Sequence, residues 1–337
     1  MRTRALASLA VLLAAASALS GCGADDSDAK AGAGGDVGRI QDYGPIELDG
    51  TIHIGDVTLP VPDEELNPLT VGVTEGGYVR TSESGDGALT HTELFTRKGE
   101  LDREFTSSGV ALADPDAGTA AWVEVARGRH TLVLTDLMAR SELGRWQIAD
   151  DSLLTALRGE EAALMTDDGP AVVRAGDRRP SRLTFLDDEW MVSDLGEEQF
   201  LATDLEESVT FTREGVEIGS AKGVYFATLS PDGTHLIGFR ETDDYSSEAA
   251  LATVQGEVEQ VRLDSSEPHG VAWFDADTVV VDTGGLDSGD DADSDLRRHV
   301  CQVESGDCTE VRRPEGVRWV GFLMPNDARA ALSTVVS

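Results

Sequence analysis

The residues of this chain best suited to chemistry are one run of oxygen ligands and six histidines. Asp287-Ser288-Gly289-Asp290-Asp291-Ala292-Asp293-Ser294-Asp295 places carboxylates at 291, 293 and 295, the alternation that opens a calcium loop. Counted from Asp291, the sixth position is Leu296, where the sharp turn needs Gly. The twelfth is Gln302, where a bidentate Glu belongs. The run therefore reads as a solvated acidic insertion, and no metal is expected. His53, His91, His130, His235, His269 and His299 are scattered, with no pair at ligand spacing, so each is expected to be an ordinary strand or loop residue. The chain has no Gly-x-Ser-x-Gly nucleophile elbow, no His-Glu-x-x-His zinc helix and no phosphate loop. Acidic groups such as Asp187-Asp188-Glu189 and Asp243-Asp244 have the composition of turns. No catalytic residue and no cofactor is expected.

A different chemistry stands at the N-terminus. Arg2 and Arg4 precede an apolar run from Leu6 to Leu19, broken only by Ser8 and Ser17. The run is shorter than the roughly 20 apolar residues a bilayer core requires and has the length of a signal core. It ends Leu19-Ser20-Gly21-Cys22, which resembles the lipobox of bacterial lipoproteins. That resemblance implies cleavage after residue 21 and a diacylglycerol on the Cys22 thiol, with further acylation of the new amine. Two or more acyl chains anchor stably where one is marginal. Residues 22–38 are rich in Gly, Ala and Asp with no aromatic residue, the composition of a flexible tether. The expected location is the extracytoplasmic face of the cell membrane, with the bilayer as first partner.

Cys301 and Cys308 remain. Of the six residues between them, Glu304-Ser305-Gly306-Asp307 are turn chemistry, which sets the two thiols across a hairpin. In an oxidising compartment that spacing suggests a local disulfide. The alternative, a metal site, would need partners at ligand spacing, and His299 alone does not supply them.

Twenty-seven basic residues face 63 acidic ones, a net charge of −36. Loss of Arg2 and Arg4 with the signal takes this to 25 − 63 = −38. A field of that sign repels phosphate backbones, so no nucleic-acid partner is expected.

The elements that must carry any site are short. Ala120 to Val125, Thr131 to Leu134, Ser208 to Thr212 and Thr278 to Val281 are β-rich runs between Gly, Asp and Ser turns. A strand opening recurs at Gly109-Val110-Ala111-Leu112, Gly223-Val224-Tyr225-Phe226, Gly270-Val271-Ala272-Trp273 and Gly316-Val317-Arg318-Trp319. A turn follows it, clearest in Leu229-Ser230-Pro231-Asp232-Gly233-Thr234 and looser in Leu112 to Thr119 and Leu323 to Asp327. From Gly109 to Gly223 is 114 residues, three steps of 38, and the next steps are 47 and 46. Such steps match the roughly 40–50 residues of a four-stranded propeller blade.

With its Ser230-to-Gly233 turn, residues 66–337 resemble the TolB-like and WD40-like bacterial β-propellers. The resemblance implies an all-β fold with blades at 66–106, 107–150, 151–184, 185–222, 223–266 and 267–314. Residues 315–337 offer two more strands, Val317 to Leu323 and Ala330 to Val336. Ile46 to Leu48, Thr51 to Ile54 and Val57 to Leu59 can complete their blade, so the termini close a ring of seven, with six as the alternative. Closure also removes an exposed sheet edge. Trp273 and Trp319 occupy equivalent positions and are expected to pack between blades. The domains are then a signal (1–21), a tether (22–38) and a propeller (39–337). Propellers host many activities. The expected function is a monomeric binding or scaffold module for an envelope protein, peptide or glycan. The alternative is a propeller hydrolase or lyase acting at the channel mouth.

Overall fold

The computed structural model describes residues 44–61, 69–83, 89–204, 206–241, 247–260, 268–283, 297–314 and 316–322. Cys22, the Asp287–Asp295 run and the strand expected at Ala330 to Val336 lie outside these residues. All the regular elements among the described residues are β-strands. Three short ones come first: β1 (Ile46–Leu48), β2 (Thr51–Ile54) and β3 (Val57–Pro60). The next seven are β4 (Leu69–Val73), β5 (Gly77–Glu83), β6 (Thr90–Thr96), β7 (Leu101–Asp114), β8 (Thr119–Ala126), β9 (Arg129–Asp136) and β10 (Ser141–Ile148). Two groups of four follow: β11 (Leu153–Arg158), β12 (Glu161–Thr166), β13 (Gly169–Arg174) and β14 (Ser181–Arg182), then β15 (Met191–Leu195), β16 (Gln199–Thr203), β17 (Glu207–Thr212) and β18 (Glu217–Lys222). Two more are β19 (Val224–Leu229), β20 (His235–Glu241), β21 (Ser247–Thr253) and β22 (Val258–Gln260), then β23 (Pro268–Trp273), β24 (Thr278–Thr283), β25 (Arg297–Gln302) and β26 (Cys308–Glu310). The last described strands are β27 (Arg318–Trp319) and β28 (Gly321–Phe322).

The last four groups of four are each one antiparallel sheet, in the segments 151–184, 185–222, 223–266 and 267–314 where the repeats place them. Segments 66–106 and 107–150 share one eight-stranded sheet because β7 serves both. Its first half pairs with β6 and its second half with β8. The register shifts between Ser108 and Leu112, where Gly109 takes φ +70° in open space. Gly109 is thus a backbone requirement, and Gly223 at φ +74° and Gly316 at φ +82° repeat it. Gly270 does not; its neighbourhood carries a bulge between Pro268 and Gly270 instead.

The terminal strands meet as expected, with a shorter C-terminal partner. Glu47 faces Arg318 and Ile46 faces Trp319, giving a sheet ordered β27-β1-β2-β3. After Val320, whose N–H reaches the Pro45 carbonyl at 3.2 Å, β28 runs parallel to β4. The C-terminal segment therefore joins β1 and the eight-stranded sheet.

Burial follows position within each sheet. β24 (Thr-Val-Val-Val-Asp-Thr) is buried throughout, while β10 and β18, the last strands of their groups, are mostly exposed or half-buried. A strand covered on both faces reads as a continuous apolar run. The apolar clusters lie between successive sheets. One joins Ile237, Phe239 and Leu251 to Val271, Val279 and Val281. Another joins Val123, Leu134 and Trp146 to Leu157, Leu164 and Val173. Phe105 stacks on Trp122 with centroids 4.7 Å apart. Each group buries its apolar face against its neighbours, which is the energetic basis of a closed repeat.

Candidate functional site

Because neighbouring strands run antiparallel, the turns after the first and third strands of each group open on one face. On that face, two successive groups form an open cleft of about 340 Å³ lined by Arg158, Glu160, Glu161, Arg174, Ala175, Glu197 and Arg213. Strand pairing builds half of it: Glu161 opens β12, with Arg158 opposite on β11 and Arg174 opposite on β13. Directly opposed residues share a sheet face, so the three side chains converge. Arg213, at the end of β17, enters from the next group.

Glu161, 8% exposed, accepts from Arg174 Nε at 2.9 Å and Arg213 Nη1 at 2.6 Å. Arg213 Nη2 donates to the Gly196 carbonyl, and the guanidinium sits 4.4 Å above the Phe200 ring. Its buried Nε finds no acceptor among the described residues. Arg158 has no ion pair among them either. Exposed Arg178 and Arg179 follow Ala175 after Gly176 and Asp177. The lining itself balances, with Arg158, Arg174 and Arg213 against Glu160, Glu161 and Glu197 giving 3 − 3 = 0, and Arg178, Arg179 and Asp177 beside it bring the local sum to +1, in a chain of −36. Guanidinium forks bind carboxylate or phosphate oxygens bidentately. The lining side chains are guanidinium and carboxylate groups with one Ala.

Carboxylates on the same face fasten neighbouring groups. Asp114 Oδ1 caps its own turn, accepting from Asp116 and Ala117 N–H at 2.9 and 3.1 Å. Its Oδ2 takes the Gly159 N–H of the next group at 2.6 Å. Asp194 joins its group to the next in the same way two steps on: Oδ2 accepts from Thr228 Oγ1 and Leu229 N–H, each at 2.7 Å. Burial raises the Asp194 carboxyl above its ordinary pKa, while Thr228, Leu229 and Leu195 donate to it and pull it down. Ser230 holds the β19–β20 turn, donating to Asp232 Oδ1 at 2.6 Å and accepting from Thr234 and His235 N–H. The Ser230 hydroxyl, with Thr234, keeps the exposed Asp232 carboxyl below its ordinary pKa.

Cys301 and Cys308 face each other across β25 and β26 and are joined in a disulfide. His299 is buried, with its Nε2 3.1 Å from the Thr283 hydroxyl. Trp273 and Trp319 pack as expected. Trp273 Nε1 donates to the Thr228 carbonyl at 3.0 Å, and the Trp319 ring lies 4.3 Å beneath the Arg298 guanidinium. Sequence reasoning missed the cleft, although Arg174, Arg178, Arg179 and Arg182 form the densest arginine run of an acidic chain. It also missed His91, Glu93 and Glu104, whose ligand atoms lie within 4.8 Å of one another.

No family model matches the chain, and no curated protein matches it by sequence. Solved structures do. The propeller domain of the Trilobed protease from Pyrococcus furiosus aligns at TM-score 0.56 and 9% identity, over 79% of this chain and 88% of that one. The Pan2 WD40 domain of Neurospora crassa aligns at TM-score 0.52 and 10% identity, over 81% and 87%. TolB from Acinetobacter baumannii aligns at TM-score 0.44 and 14% identity over 74% of this chain, which spans 64% of the TolB chain. At these identities the likeness concerns architecture alone: the chain is a β-propeller.

Proposed function

We propose that this chain is a lipid-anchored extracytoplasmic binding module, a seven-bladed propeller tethered through Cys22. The blade count takes β7 as both the last strand of one blade and the first of the next. The seventh blade is β27 with β1, β2 and β3, as the Glu47 and Arg318 pairing supports. The observation that carries the binding reading is the cleft. It offers guanidinium groups in an otherwise strongly anionic protein, lined by Arg, Glu and Ala. It receives a carboxylate or phosphate group of an envelope protein, peptide or glycan.

The test is photocrosslinking in intact cells, with the full chain carrying a benzophenone amino acid at Arg158 or Arg178. A discrete adduct at these positions, absent when the probe replaces Asp168 on the opposite face, supports the proposal. No adduct, or the same adduct at Asp168, overturns the cleft as the binding surface. Turnover of a small substrate, lost on mutation of channel residues, would replace the module by a hydrolase or lyase. The anchor is tested separately. Labelled palmitate enters the wild-type chain and not Cys22→Ala, and equal labelling of both removes it.

A further inference from the structure

Three strands of the eight-stranded sheet carry a charged row that is not balanced. Register places Arg80 on β5 opposite Glu93 on β6, and Glu93 opposite Glu104 on β7. The row reads plus, minus, minus, and like charges directly opposed across a strand pair repel. His91 stands two residues before Glu93 on the same sheet face. Its Nε2 lies 3.8 Å from Glu104 Oε2, and one ligand atom from each of His91, Glu93 and Glu104 falls within a 4.8 Å span.

Arg80 does not exhaust Glu93. Its Nε donates to Glu93 Oε2 at 2.6 Å and its Nη2 approaches the same oxygen at 2.5 Å. Glu93 Oε1 has no donor among the described residues, although the side chain is only 10% exposed. Arg80 is itself fixed by the Pro60 carbonyl and by the Phe95 ring 4.9 Å below it. The opposite face of the same strands is held by buried hydroxyls. Thr81 meets Thr92 at 3.3 Å, and Thr92 meets Ser107 at 2.6 Å. The three candidate ligands thus stand on a rigid backbone, and the innermost carboxylate is oriented by a guanidinium. A ligating carboxylate is commonly held in this way by an outer-shell partner.

We propose that His91, Glu93 and Glu104 bind a divalent first-row transition ion of the Zn²⁺ class. One imidazole nitrogen and two carboxylates suit such an ion. Ca²⁺, which takes six to eight oxygens, is disfavoured by the nitrogen and the low ligand count. Three protein ligands leave open positions for water or a partner's side chain. The site lies two groups away from the arginine cleft and does not depend on it.

The test is calorimetric titration of Zn²⁺ into the tag-free protein in excess Mg²⁺, which occupies non-specific acidic surface. One site per chain is expected. His91→Ala and Glu104→Gln should each weaken it by about tenfold or more, while Asp187→Asn with Asp188→Asn leaves it unchanged. Glu104 is 63% exposed, so its variant keeps the fold, as an unchanged metal-free melt would record. Equal Zn²⁺ affinity in wild type and both variants, or no Zn²⁺ binding in the presence of Mg²⁺, overturns the proposal.

Discussion

Replacing Arg298 by Met leaves one carboxylate stranded in the protein interior. Arg298 Nε and Nη2 donate to Asp282 Oδ1 and Oδ2, each at 2.6 Å. The two side chains are 0% and 7% exposed. Removing one partner of a buried pair costs about 3–5 kcal/mol, because the other charge stays desolvated and uncompensated. In a domain of this size each kcal/mol moves the melting temperature by about 2 °C, so Arg298→Met should melt roughly 6–10 °C below wild type. The paired replacement Asp282→Leu with Arg298→Met removes both charges and fills the space with apolar atoms. Such a swap is often neutral or stabilising, and Met keeps a favourable contact with the Trp319 ring. Scanning calorimetry on wild type, both single variants and the double variant completes the cycle, with a coupling of about 3 kcal/mol or more expected. A single variant melting within about 2 °C of wild type, or a double variant as low as the singles, would refute the buried-pair reasoning.

Two glycines should separate by mechanism. Gly219→Ala puts a methyl 2.5 Å from the Gln255 backbone of the next group, an overpacking cost of about 1–3 kcal/mol. Gly109→Ala meets nothing but must hold φ +70°, a strain of about 1–2 kcal/mol. Asn should rescue stability at 109 and not at 219, as urea midpoints would report. Exchanging both Cys301 and Cys308 for Ser should cost about 2 kcal/mol, the low end for a disulfide, since the loop separation is only 7 residues. A melt unchanged by the exchange would contradict that value. The lowered pKa of Asp232 stabilises the fold above the ordinary carboxylate range, and that stability is lost as pH falls through the folded value. The melting gap between wild type and Asp232→Ala should therefore be present at neutral pH and close in acid. A gap that widens in acid would contradict the sign.

The blades were legible because their signals are local. Ser230, Asp232 and Gly233 satisfy one another within a single turn, and Gly109 and Gly223 mark left-handed openings that few other residues adopt. The terminal closure was legible from a deficit, since strands too few for a blade need partners. The cleft was not legible, because its contacts depend on how separate groups stack. Glu161 is met by Arg213 across 52 residues. Asp114 reads as a turn aspartate, yet its second oxygen serves Gly159, 45 residues on. His91, Glu93 and Glu104 come together only once the β6–β7 register is known. The sequence spacing His-x-Glu on a strand was the available hint, being the period that keeps two side chains on one face.

Ring closure by the two ends of the chain is tested most directly by joining them. Glu47 and Arg318 are register partners at the surface, and opposed residues on paired strands lie about 4.5–5.5 Å apart at Cα, within disulfide reach. The variant Glu47→Cys with Arg318→Cys, oxidised at low protein concentration, should form one intramolecular bridge. Non-reducing electrophoresis and peptide mass spectrometry would detect it, with a raised melting temperature that reductant reverses. Free thiols or intermolecular dimers, in a protein that otherwise melts like wild type, would contradict the closed ring.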